Sequence, residues 1–184
     1  METTYIDKHV LLVNQCRQGS AKAQFDLYKL YATAMYNVAL RILNDVAEAE
    51  DVLQEAFLDA FTRIVDFRQE TTFGLWLKQI VINRAINNLR KRKVEFVSLD
   101  GVEVADENET SVAETALKVE YIKHAMDKLP DGYRVVLSLY LFEGYDHEEI
   151  AHILKISENT SRSQYMRAKR KLNILLAEKG IVTV

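Results

Sequence analysis

Proline and glycine are scarce in this chain, one and six among 184 residues. That leaves too few turn formers for a sandwich or barrel of many short strands, so helices are expected. Cysteine is scarcer than glycine. The lone Cys16 excludes an internal disulfide or a thiolate-based zinc site, suits a reducing interior, and reads as a small buried hydrophobe. No apolar run reaches the length needed to cross a bilayer, and the N-terminal METTYIDKHV lacks the basic-then-apolar order of a signal peptide. A cytoplasmic protein without membrane insertion is expected. There is no glycine-rich phosphate loop, and no Ser, His and Asp set stands out. His147, Glu148 and His152 approach the zinc-protease pattern HExxH, but histidines five apart lie about 140° around a helix where that motif needs about 40°. They cannot converge on one metal, and His9 and His124 are isolated. Neither a cofactor nor an enzymatic activity is expected.

What the chain does have is segregated charge. The formal net charge is only -3, yet Val94 to Thr115 holds seven acidic residues and no basic one, without a sustained helical apolar period. This stretch reads as a flexible, solvated acidic linker. It separates an N-terminal helical block ending in Arg90, Lys91, Arg92 and Lys93 from a C-terminal block with its own basic stretch. The expected architecture is all-α: two small helical domains, residues 1–93 and 116–178, joined by the linker 94–115 and followed by a tail at 179–184. Fully extended, such a linker spans on the order of 70 Å, or roughly two duplex turns.

In the first block Phe25, Tyr28, Tyr31, Met35, Val38 and Ile42 recur at helical spacing and predict a core-facing stripe. Next, Leu53, Phe57, Ala60, Phe61 and Ile64 gather on one side of a helix while Glu48, Asp51, Glu55 and Asp59 gather opposite. By amphipathicity alone that acidic stripe is an ordinary solvated face. A third long helix is predicted to start near Thr71 or Thr72, either of which can cap it. Phe73, Leu77, Ile80 and Leu89 are expected inside, with Trp76 near that face. Asn83, Asn87 and Arg90 form a separate polar stripe, flanked by Arg84 and Lys91. Guanidinium and ammonium groups neutralise phosphates, and an amide offers a base edge a donor and an acceptor together. Helices also end in basic residues simply to complement their dipole.

The sharpest local signal lies in the C-terminal block. Asp146 and Glu149 have the spacing of a capping box, opening a helix that buries Ile150, Ala151 and Leu154. Lys155, Ile156 and Ser157 form a short turn, and Ser157 can cap a second helix. On that helix Tyr165, Ala168 and Leu172 face inward, roughly opposite Asn159, Arg162, Ser163, Met166 and Arg170. From Arg162 to Lys171 there are five basic residues and no acidic one. A short helix, a tight turn and a basic second helix describe a helix-turn-helix, whose second helix enters the major groove. A plain helical hairpin with a solvated basic face meets the same pattern, and the motif alone does not separate repressor, activator and sigma factor.

Taken together, these segments resemble the extracytoplasmic-function (ECF) sigma factors of bacterial RNA polymerase. EAEDVLQEAFLDAF, Glu48 to Phe61, resembles that family's core-polymerase-binding segment, with its D-x-x-Q-E-x-F pattern present as Asp51, Gln54, Glu55 and Phe57. FRQETTFGLWLKQIVINRAINNLRKRK, Phe67 to Lys93, resembles the part that melts and reads the minus-10 promoter element. Leu129 to Leu172 resembles the part that reads the minus-35 element. The match runs collinearly from about residue 20 to 176. Two departures stand out: Ser161 where the family usually buries an aliphatic residue, and Gln164 where many members carry a basic one. Both imply weakened or altered minus-35 reading.

The resemblance implies a division of labour. Glu48, Asp51, Gln54, Glu55 and Asp59 would dock the β′ and β subunits of core RNA polymerase. Phe67, Arg68, Gln69, Glu70 and Thr71 would receive an unstacked minus-10 base, and Trp76 would be among the minus-10 DNA contacts. Asn83, Arg84, Asn87, Arg90 and Lys91 would hold the melted strand. Asn159, Thr160, Arg162, Ser163, Gln164, Met166, Arg167 and Arg170 would address minus-35 promoter DNA. An anti-sigma factor is a further partner implied by resemblance. The competing readings are a helix-turn-helix regulator that binds DNA alone and senses a ligand through its N-terminal block, and a helical adaptor that binds only proteins. The acidic stripe and the absence of an evident dimerisation helix count against the regulator; the adaptor predicts no salt-dependent DNA affinity.

Overall fold

The computed structural model describes residues 9–92 and 116–179. The linker expected at 94–115, Lys93, and the expected tail beyond Lys179 lie outside the described residues. Within them are eight α-helices and one 3-10 turn, with no strand. The chain forms two compact units, divided after Lys91.

In the first unit α1 (Val10–Arg17), α2 (Ala21–Leu43), α3 (Val46–Thr62) and α4 (Phe73–Lys91) surround one core, with a 3-10 turn at Ile64–Asp66. Local chemistry sets the boundaries. Ser20 caps α2 by accepting from the Ala23 amide at 3.3 Å, and Asp45 caps α3 through the Glu48 amide at 2.9 Å. Between them Asn44 ends α2 in the left-handed region (φ 53°), which asparagine tolerates better than most residues. Of the two candidate threonines, Thr72 caps α4, its Oγ1 accepting from the Leu75 amide at 3.1 Å.

Small residues shape this core. Ala49, Ala56 and Ala60 of α3 and Ala85 of α4 are buried, as are Leu27, Ile42, Leu77 and Ile86, and α2, α3 and α4 each pack against the other two. That corrects the expected α2 stripe. Its inner line runs through Ala23, Leu27, Met35, Val38, Ala39 and Ile42, leaving Phe25 59% exposed with the Lys29 ammonium 4.7 Å from its ring centre. Tyr28 sits at the rim against Phe57, ring centres 4.8 Å apart. Ile80 is likewise only half-buried, because the interior side of α4 is centred on Val81, Ile82, Ala85 and Ile86.

In the second unit α5 (Ala116–Asp127), α6 (Asp131–Leu141), α7 (His147–Leu154) and α8 (Glu158–Ala177) enclose a smaller core. Ala125, Met126, Leu129, Leu137, Ala168, Leu172 and Leu176 form it, lined by half-buried Tyr121, Tyr133 and Tyr165. Every residue of α6 from Arg134 to Leu139 is buried. Arg134 donates Nη1 to the Leu129 carbonyl at 3.0 Å and Nη2 to the Asp131 carboxylate, which pins the turn between α5 and α6. Asp146 and Glu149 form the expected capping box at the start of α7. Lys155 ends α7 in the left-handed region (φ 58°), and Ser157 caps α8 through the Thr160 amide at 3.0 Å.

Candidate protein and nucleic-acid interfaces

The acidic stripe of α3 lies on the surface, opposite the line Ala49, Val52, Leu53, Ala56 and Phe57 that faces the core. Asp51, Gln54 and Glu55 are exposed, while Glu48 and Asp59 are half-buried. The stripe already holds a cation from within the chain. Arg84 of α4 donates Nε to Asp59 Oδ2 at 2.7 Å, adds its Nη2 to the same oxygen, and gives Nη1 to Glu55. Arg84, expected on the flank of the Asn83 and Asn87 stripe, lines the same cleft as those residues and is also tied to the acidic stripe, where two carboxylates one helical turn apart hold its guanidinium. The two features share a cleft of about 680 Å³ lined by Asp51, Glu55 and Asp59 on one side and Asn83, Asn87 and Lys91 on the other.

Asn83, Asn87 and Lys91 are exposed; Arg90 is half-exposed and donates to Asn87 Oδ1 at 3.2 Å. The loop before α4 divides into wall and rim. Phe67 is only 3% exposed, its ring stacked on Trp76 at 5.1 Å and edge-on to Phe73 at 6.0 Å. As a base-accepting residue Phe67 is therefore excluded: its ring faces are covered, and it supports Trp76, which is half-exposed. Arg68, Gln69, Glu70 and Thr71 are exposed. Gln69 adopts φ 60° and donates to Asn14 Oδ1 at 3.3 Å. Sequence reasoning missed the brace beneath this loop: Arg17 of α1 donates to the Phe67 and Ile64 carbonyls. No local pattern marks an arginine whose partners lie some fifty positions away.

On α8 the outward face carries Asn159, Arg162, Ser163, Met166, Arg167 and Arg170, all exposed. Arg162 pairs with Glu158, Nε to Oε1 at 3.1 Å. Thr160 is half-buried, and its hydroxyl meets that of Ser157 at 2.8 Å within the helix cap. Gln164, expected among the readers, is 3% exposed and cannot reach a base edge, because it lies on the inward line with Ser161, Ala168 and Leu172. Ser161 is fully buried, and His147 Nδ1 lies 2.9 Å from its Oγ. Burial and the nearby Arg162 hold the His147 imidazole below its ordinary pKa, against the opposing pull of Glu158 and Asp146. Burial also pushes the Cys16 thiol up, away from the reactive thiolate. Among the described residues no group of three His, Cys, Asp or Glu side chains could hold a metal, and no helix is long and apolar enough to cross a membrane.

Comparison with known proteins matches the same two segments. Residues 27–95 match the sigma-70 region 2 family and residues 119–172 the sigma-70 region 4 family. The chain is 31% identical to the ECF RNA polymerase sigma factor SigW of Bacillus subtilis, over 87% of its own length and 92% of SigW. It is 32% identical to SigM of the same organism (82% and 93% covered) and 32% identical to the RNA polymerase sigma-H factor of Pseudomonas aeruginosa (88% and 90% covered). At the level of fold it is similar to CnrH, solved with the cytosolic domain of CnrY (TM-score 0.55, 23% identity, 91% and 96% covered). It is similar too to RpoE of Bartonella quintana, solved with the anti-sigma factor NepR (TM-score 0.56, 23% identity, 83% and 95% covered). Two helical units carrying the region 2 and region 4 families, with such identity across nearly whole relatives, establish that the chain belongs to the ECF family of RNA polymerase sigma factors, proteins of transcription initiation.

Proposed function

We propose that this protein binds core RNA polymerase through the acidic face of α3 and directs it to promoters by reading the minus-10 element with the first unit and the minus-35 element with α8. It makes or breaks no covalent bond of its own and acts in the cytoplasm. The observation that carries this reading is the exposed line Asp51, Gln54 and Glu55, an acidic face in a chain whose other polar stripes are amide-rich and basic. A basic helical surface on the β′ subunit complements it in charge, which speeds encounter and fixes register. Half-exposed Trp76, stacked on Phe67, and the exposed residues Arg68 to Thr71 that follow Phe67 offer a place where an unstacked base can lodge. Asn83, Asn87, Arg90 and Lys91 then follow the strand along α4. In the second unit Asn159, Arg162, Ser163, Met166, Arg167 and Arg170 face the major groove. Residues 94–115 serve as the tether, so each weak contact benefits from the effective concentration set by the other. CnrH and RpoE were solved with CnrY and with the anti-sigma factor NepR; a protein of that kind, covering the α3 face, is the natural antagonist here.

Reconstituted transcription tests this. With core polymerase the protein is expected to initiate at discrete start sites preceded by two common elements. Reversing charge at Asp51 and Glu55 (Asp51→Lys with Glu55→Lys) is expected to weaken core binding about tenfold or more while leaving helix content unchanged. Tight, specific duplex binding by the free protein, with no polymerase present, would instead identify a stand-alone regulator.

A further inference from the structure

The four buried polar residues among those described, Arg134, Ser138, Ser161 and Gln164, all lie in the second unit. Ser161 is the most demanding of them for the function. It sits in the first turns of α8 with no exposure, and a buried hydroxyl without a partner is costly. His147 supplies the partner, its Nδ1 2.9 Å from the hydroxyl. The same imidazole lies nearly parallel to the Tyr140 ring at 4.8 Å, with an interplanar angle of 20°, and edge-on to Tyr165 at 5.5 Å. One ring from the start of α7 therefore touches the C-terminal turn of α6 and two points of α8 one helical turn apart. Its own backbone is fixed from behind by the Asp146 and Glu149 capping box.

We propose that His147 is a positioning residue for α8: through its bond to Ser161 it sets the rotation at which Asn159, Arg162 and Ser163 meet the DNA. This rests on the reading of α8 as the minus-35 reader. The physical reason is directionality. An aliphatic residue at position 161 would pack almost equally well over a range of rotations, whereas a hydrogen bond has a preferred length and angle. Turning α8 by about 20° about its axis displaces the hydroxyl by on the order of 1 Å and the tips of the longer Arg162 side chain by roughly twice that. Base readout tolerates less than this. Ser161 thus replaces non-directional packing with a fixed angle, and His147 is the residue that makes the replacement workable.

The test uses the full chain with core polymerase on a promoter taken from the mapped start sites, and on the same promoter with its minus-35 element scrambled. His147→Phe keeps the ring contacts to Tyr140 and Tyr165 but loses the bond. Ser161→Ala removes the bond from the other side. His147→Asn places an amide near the position of Nδ1. His147→Phe, Ser161→Ala and the double variant are each expected to lower transcription from the intact promoter by the same factor, about three- to tenfold, with little change on the scrambled one. His147→Asn is expected to recover most of the loss. Losses that multiply in the double variant, a His147→Phe protein that still discriminates like wild type, or equal losses on both promoters would overturn the positioning role while leaving α8 as a reader. A wild-type protein indifferent to the minus-35 sequence would remove the underlying reading, and this inference with it.

Discussion

Arg84 ties the acidic face of α3 to α4, and if α3 docks polymerase as proposed, its removal is expected to move stability and docking in opposite directions. The guanidinium side chain is 31% exposed and its partners Asp59 and Glu55 are 37% and 60% exposed, so solvent screens both ion pairs. Exposed pairs of this kind contribute about 0.2–1 kcal/mol each, the Asp59 pair being the better placed because two nitrogens share one oxygen. Arg84→Met keeps an unbranched stem over the helix and removes the charge; the first unit should lose about 1 kcal/mol at low salt. Trp76 is the single tryptophan and is stacked on Phe67, so its fluorescence during urea unfolding of the whole chain reports the first unit specifically. A double-mutant cycle with Asp59→Asn isolates the coupling, which should fade in 1 M salt, where the Debye length falls to about 3 Å. If α3 docks polymerase through its carboxylates, the partner's cations must displace Arg84, and the variant should bind core about three- to fivefold more tightly. A coupling below about 0.2 kcal/mol, or one insensitive to salt, would refute the ion-pair argument. Weaker core binding by the variant would make Arg84 a contact, not a competitor.

Two further outcomes follow from the packing. Gly74→Ala should destabilise the first unit by about 1–3 kcal/mol despite the better helix propensity of alanine, because its Cβ would lie 2.7 Å from Tyr31 Cε1 and that ring is held by Phe73 on one side and by His9 at its hydroxyl; unchanged urea unfolding at Trp76 would show that the ring can move aside. In the second unit the folded state holds the His147 proton less readily than the unfolded chain, whose ordinary histidine pKa is about 6.5, so stability should decline as pH falls through that value toward the lower folded one; amide exchange in α7 and α8 measures it, and a His147→Asn protein with the same acid-dependent decline would show that other groups are responsible.

How much of this was legible beforehand depended on how far apart the partners lie in the chain. The Asp146 and Glu149 box, the Ser157 cap and the two faces of α3 are local patterns, and the molecule displays them. The inner line of α2 holds the expected Met35, Val38 and Ile42 but departs from the expected stripe at Phe25, Tyr28 and Tyr31, because large side chains promise the most buried area while close helix packing favours Ala23 and Ala39. Phe67 and Gln164 were placed at interfaces by motif position, although Trp76 covers the first and the α8 core line takes the second. Arg17, Arg84 and His147 were invisible as structural links. Arg17 reaches Phe67 across fifty positions, Arg84 reaches Asp59 across twenty-five and His147 reaches Ser161 across fourteen, and nothing in one sequence records such a pairing. The departure at Ser161 was visible, but its compensation was not.

These links also differ in strength in a way that matches what each surface has to do. The Arg84 pairs sit in partial solvent, so water competes with them and salt weakens them; a partner's lysine or arginine can take over the same carboxylates at little cost. That suits the proposed docking, in which the α3 face exchanges an internal cation for an external one. The His147 and Ser161 bond has the opposite character, since one of its members has no access to water and breaking it leaves a buried hydroxyl unsatisfied. That suits the proposed reader, a helix whose orientation would have to survive contact with DNA. A screened charge pair in place of the His147 and Ser161 bond, or a buried hydrogen bond in place of the Arg84 pairs, would invert both properties: α8 would be free to roll, and the α3 face would resist the cation exchange that the proposed docking requires.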